Sequence, residues 1–186
     1  MNNIEIKNIS FTYNRKDILK NLSLRFDSKG ITSICGSNGV GKTTLLRLIA
    51  GFIQPSEGSI NRPEKFTIGY IFQNPVFLNR TVNENLLHAI LSVNKSINKD
   101  TARTKIHSAL DRFSLKYTKN ISINKLSGGQ QQIIAIIRSL IVNPDVILCD
   151  EPTSNLDAAN KELIEEILLD NSKYRKIILV TQDKEQ

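Results

Sequence analysis

The sequence predicts an α/β fold with an inserted helical lobe, and three stretches carry that prediction. Ile31-Thr32-Ser33-Ile34-Cys35 is an apolar run that passes through a glycine-rich segment into Thr44 to Ala50, where Leu45, Leu48 and Ile49 recur at helical spacing. Val146-Ile147-Leu148-Cys149 reads as a buried strand ending in two carboxylates, Asp150 and Glu151. Between them, Thr81 to Phe113 is helical in pattern and broken by a polar loop, Ser92 to Asp100.

In chain order, Ile4-Glu5-Ile6-Lys7-Asn8-Ile9 alternates as a strand, and Ile18-Leu19 with Leu22 to Phe26 suggests a second, with Phe11-Thr12-Tyr13 between them. The helix after the glycine-rich segment ends near Gly51. Gly58-Ser59-Ile60 and Thr67 to Phe72 are short strands, the second ending at Gln73. Within the helical stretch, Ala102, Ile106, Ala109, Leu110 and Phe113 fall on one face. Gln130 to Val142 is a helix stopped by Asn143-Pro144. Ala158 to Leu169 is another, and Ile177 to Thr181 a last buried strand. The chain thus reads as one domain, residues 1–186, in which 1–74 and 128–186 form the core and about 75–127 the inserted lobe.

A chain of 186 residues with 40% hydrophobic content suits one substantial core, since at that size about 70% of the unfolded surface is buried. No run reaches the roughly 18 apolar residues of a membrane span. The polar start, Met1-Asn2-Asn3-Ile4-Glu5, shows no secretory signal. Cys35 and Cys149 both lie in runs that read as buried strands, so reduced core thiols are expected. His88 and His107 stand without partners at metal-ligand spacing. The net charge of +7 is scattered, with Arg103, Lys105 and Arg112 on solvated helix positions. No basic and aromatic interleaving points to nucleic acid. Attraction of an anionic nucleotide or of lipid head groups is a sufficient use for the charge, and so is simple solubility.

The chemistry begins at Gly36-Ser37-Asn38-Gly39-Val40-Gly41-Lys42-Thr43, which fits G-x-x-x-x-G-K-[ST] at every fixed position. Glycines there let backbone N–H groups curl around phosphate oxygens at a helix N-terminus, where anions are favoured. Lys42 would reach the β- and γ-phosphates, Thr43 would ligate Mg²⁺, and Thr44 could touch the α-phosphate. Asp150 suits a Mg²⁺ contact, direct or through water, and Glu151 suits a base for the attacking water. The plainer alternative for this pair is an acidic turn after a strand. Leu126-Ser127-Gly128-Gly129-Gln130 is a second glycine-bearing stretch, of different design.

These stretches, with Gln73 and Ser154-Asn155-Leu156-Asp157, match in order and approximate spacing the ATP-binding cassette (ABC) nucleotide-binding domain. The chain resembles that family over essentially its whole length. The resemblance implies a P-loop NTPase core, a small antiparallel β subdomain, and two domains meeting head to tail with ATP between the P-loop of one and the Leu126–Gln130 signature of the other. It makes Tyr13 the aromatic that stacks on adenine, against the rival of a core tyrosine or turn residue. Gln73 becomes the sensor of Mg²⁺ and attacking water, with the following Asn74 to Leu78 facing a membrane partner. Ser127 and Gly129 become donors to the opposite protomer's γ-phosphate, and Asp157 the link between the two sites.

Two departures stand out. The family normally has a histidine where this chain has Gln182, which can donate a hydrogen bond but cannot carry a proton. Slowed hydrolysis is therefore expected. The chain also stops at Gln186, short of the terminal strand and helix usual in the family, so it is either minimal or truncated. Ile133 replaces a common arginine. The resemblance implies a Mg²⁺-dependent ATPase subunit on the inner face of the cell membrane. Its partners would be a second cassette, separate membrane permease subunits and, in an importer of a small solute or ion, a solute-binding protein. The alternatives are a dimerising module with weak hydrolysis, a small exporter cassette and, less favoured, a soluble cassette acting on ribosomes or DNA.

Overall fold

The structure is a computed structural model that describes residues 3–63, 66–154 and 156–182. It divides into two compact units: Met1–Tyr70, Asp145–Glu151 and Glu165–Gln186 form the first, and Ile71–Pro144 and Pro152–Ile164 the second.

The first unit holds two sheets. In the antiparallel one, β1 (Ile4–Tyr13) lies between β2 (Lys16–Phe26) and β4 (Glu57–Asn61). β1 runs on through Phe11-Thr12-Tyr13, which the sequence left between strands, because Asn14 and Arg15 both take positive φ and turn the chain in two residues, pairing Tyr13 with Lys16. Ile4, Ile6 and Ile9 are buried on one face of β1.

The second sheet has the order β3 (Gly30–Cys35), β7 (Lys176–Thr181), β6 (Val146–Asp150), β5 (Ile68–Ile71). β7 runs parallel to both β3 and β6. Flanked on both sides, β6 and β7 are buried at every residue, as their unbroken apolar patterns require. The edge strand β3 is only half-buried. Cys35 is exposed there, which corrects the expectation of a core thiol: an apolar run reads alike at the edge and in the centre of a sheet. Cys149 is fully buried, and that burial pushes its thiol pKa up and keeps it protonated. Helix α1 (Lys42–Ala50) packs Leu45, Leu46, Leu48 and Ile49 inward, against β6 and β7.

The second unit is helical. α2 (Val82–Val93), α3 (Lys99–Arg112) and α4 (Gly128–Ile141) pack on one another. Their shared core holds Leu86, Ile90, Ile106, Leu110, Ile134 and Ile137. Ile133 is buried as well, a position where an isoleucine serves packing better than a charge. Thr81 starts α2 with a capping box completed by Glu84. α5 (Ala158–Ser172) runs three residues beyond the predicted end and passes from the second unit into the first.

Candidate functional site

The parallel register gathers the chemistry of the first unit at one sheet edge. Cys35 pairs with Thr181 and Asp150 with Val180, so the chain leaves the carboxyl ends of three adjacent strands at Gly36, Gln182 and Glu151. Open α/β sheets bind ligands at that end.

Residues 36–43 form the loop from β3 into α1. Gly41 is the N-cap of α1 with φ 101°, and a Cβ on it would meet the carbonyl oxygen of Ile18 at 3.2 Å and the Leu19 side chain at 3.0 Å. Only glycine suits both demands. No side chain caps this helix, so its first-turn N–H groups are left to an external acceptor. Lys42 is buried, and its Nζ donates to the carbonyl oxygens of Gly36 at 2.6 Å and Ser37 at 3.0 Å, holding the ammonium inside the loop. Ser37, Asn38, Gly39 and Val40 are exposed on the outer turn, and Thr44 is half-buried on α1.

Beside the loop, Thr43 donates its hydroxyl to Oδ1 of Asp150 at 2.9 Å. Tyr70 donates to Oδ2 at 3.3 Å. Burial holds the Asp150 carboxyl above its ordinary range, the bonds from Thr43 and Tyr70 and the charge of Arg47 oppose that shift, and Glu151 adds to it. A buried carboxylate beside a threonine hydroxyl is a set of hard oxygen donors in need of positive charge, which fits Mg²⁺. Glu151 has φ 46°, a left-handed backbone, and its N–H donates to Val180 O at 3.0 Å. Its Oε1 accepts from the Gln182 amide at 2.7 Å. Asp150 and Glu151, adjacent in sequence, therefore serve separate surroundings.

The glycine-bearing stretch of the second unit is the N-terminus of α4. Ser127 is the N-cap, accepting from the Gln130 N–H, while Oε1 of Gln130 accepts from the Ser127 N–H at 3.0 Å. This capping box gives Leu126-Ser127-Gly128-Gly129-Gln130 a local physical reason. Leu126 is buried behind it. A Cβ on Gly128 would meet nothing within 4 Å, so the start of the helix is open. Tyr117 accepts from Nε2 of Gln130 at 2.9 Å.

Gln73 is exposed just after β5. Asp157 accepts from the Asn160 N–H at 2.9 Å and caps α5, a local duty that its sequence position did not announce. Asn155 lies outside the described residues. Tyr13 is 64% exposed at the hairpin end, which removes the core-tyrosine alternative. The two units thus hold separate sets: Tyr13, 36–44, Asp150, Glu151 and Gln182 in the first, and Gln73, 126–130 and Asp157 in the second.

Sequence reasoning missed two residues. Tyr70 reads as an ordinary strand aromatic. Gln132 is buried in α4 and donates to the carbonyl oxygens of Phe72 at 3.2 Å and Pro152 at 3.0 Å, next to Gln73 and Glu151 in the chain. Its only signal is a polar residue on a helix face that is otherwise apolar.

The family model described as ABC transporter matches residues 19–154. The Fe(3+) ions import ATP-binding protein of Fusobacterium nucleatum is 37% identical over 198 residues, covering 99% of this chain and 52% of that protein. The energy-coupling factor transporter ATP-binding protein EcfA1 of Mycoplasmoides gallisepticum is 34% identical over 198 residues, covering 98% and 70%. The chain therefore spans about half the length of the first relative. A solved dimeric ATP-binding cassette, MJ0796 in a post-hydrolysis state with ADP and Pi, superposes with a TM-score of 0.86 at 29% identity, covering 97% of this chain and 88% of that one.

Proposed function

The chain belongs to the ABC transporter family, as an ATP-binding and ATP-hydrolysing cassette, and from that premise we propose that it pairs head to tail with a second cassette and drives separate membrane permease subunits. Among the described residues no helix is long and apolar enough to cross a membrane. Import of a small solute or ion is the favoured direction, because relatives such as the Fe(3+) protein are named for import. A solute-binding protein would then deliver the cargo.

The observation that carries this reading is the convergence of Gly36, Glu151 and Gln182 at the end of three adjacent strands. In the proposed mechanism the 36–43 loop and Lys42 hold the β- and γ-phosphates, and Tyr13 stacks on the adenine. Thr43 and Asp150 would hold Mg²⁺, joined by Gln73. When bound, Mg²⁺ neutralises charge on the phosphates. Glu151 accepts the proton of the attacking water, and Gln182 donates to keep that carboxylate aimed. Ser127 and Gly129 of the partner cassette donate to the γ-phosphate, with the α4 dipole adding positive potential. Asp157 connects the two sites. The test is ATP hydrolysis in Glu151→Gln: turnover falls by about 10²–10⁴-fold while ATP binding persists, and unchanged turnover removes Glu151 from the role of base.

A second reading, a dimerising module with weak hydrolysis, is favoured by one observation, the non-titrating amide of Gln182 where the family normally has a histidine. Gln182→His separates the two. A large gain in turnover supports the module, and little change supports a working ATPase.

A further inference from the structure

Tyr70 is almost wholly buried, on the strand next to β6 in the sheet. Its hydroxyl reaches Oδ2 of Asp150, while Thr43 reaches Oδ1. Two donors, one on each oxygen, stop the carboxylate from rotating about its own axis. The tyrosine is itself braced. Phe52 lies against its ring at 5.3 Å between centroids, and the Phe52 N–H is tied to Arg47 O at the end of α1. One helix thus presents Thr43 at its start and steadies, from its far end, the residue holding the opposite side of the same carboxylate.

We propose that Tyr70 is a positioning residue for the Mg²⁺ site: by occupying Oδ2 of Asp150 it leaves Oδ1 turned toward Thr43 as the oxygen offered to the cation. The assignment rests on the proposed nucleotide site. A tyrosine that merely filled the core would affect folding, but not the dependence of nucleotide binding on the cation.

The test compares Tyr70→Phe with its parent, both in a Glu151→Gln background that prevents turnover. ATP affinity is measured by calorimetry in EDTA and then across a Mg²⁺ series, and Mn²⁺ binding with ADP by electron paramagnetic resonance. Removing an outer partner of a metal ligand typically weakens metal binding about 10- to 100-fold. The expected result is an apparent cation Kd raised at least about tenfold, with ATP affinity in EDTA held near that of the parent. An unchanged cation Kd, or an equal loss in EDTA, overturns the proposal. If Tyr70→Phe does not fold, Tyr70→Met supplies the same loss of donor under the Phe52 ring. A parent that binds no nucleotide either in EDTA or with Mg²⁺ overturns the site reading itself, and this inference with it.

Discussion

The Gln182 side-chain amide donates to Oε1 of Glu151 at 2.7 Å, so the two residues that follow neighbouring strands β7 and β6 are joined before any nucleotide is considered. The donor is a neutral amide, in which a nitrogen with two hydrogens faces a carboxylate and never changes its charge.

That neutrality predicts a pH profile. Because glutamine does not titrate, ATPase activity should show no limb near pH 6.5, where an unperturbed histidine would change charge. Gln182→His should introduce such a limb, and Gln182→Ala should cost roughly 10²–10³ in kcat, as loss of a preorganised donor does. Steady-state rates between pH 5.5 and 9 decide it. A limb already present near 6.5 in the parent would assign the titration to some other group.

Asp150 predicts a conflict between folding and binding. Its carboxyl is held above the ordinary range chiefly by burial, so the folded state favours the protonated form. The stability this contributes is fully present below the ordinary carboxyl value and is lost as pH rises through the raised folded value. At neutral pH Asp150→Asn should therefore stabilise the metal- and nucleotide-free protein, with Tm rising about 2–4 °C for each kcal/mol recovered. The same variant should lose the extra stabilisation that Mg²⁺ adds to ATP. Differential scanning calorimetry at pH 5 and 7.5 measures both. A lower Tm at pH 7.5 would mean that the bonds from Thr43 and Tyr70 outweigh the cost of burial.

The proposed head-to-tail arrangement predicts complementation between dead chains. Lys42→Ala spoils the loop and leaves the signature intact, while Ser127→Arg does the reverse. Each alone should be inactive. Mixed, they form dimers with one complete site, and about a quarter of parental activity should return on random pairing in a two-fold dimer. No recovery in a mixture shown by crosslinking to contain heterodimers would end the assignment of Ser127 to the opposite nucleotide.

The architecture and the site were legible to different depths, for physical reasons. Strands β6 and β7 and helices α2 to α4 were readable because unbroken apolar runs and helical periodicity are local signals. The burial of Cys35 was misread because strand order, which puts β3 at an edge, is a property of the whole sheet. Gly36 to Thr43 and the two acids declared themselves through spacing. Tyr70 and Gln132 did not, since their duties rest on partners 80 and 60 residues away, and no local pattern separates a tyrosine bonded to a carboxylate from one that fills space.

Glu151 sits in a left-handed backbone conformation that costs a residue with a side chain about 1–2 kcal/mol. Glycine or asparagine would occupy that place more comfortably, and neither can accept a proton from water. A variant library selected for heat resistance alone should therefore drift toward those residues at position 151 and lose turnover as it gains robustness. At this residue, durability and work are rival demands on one backbone angle.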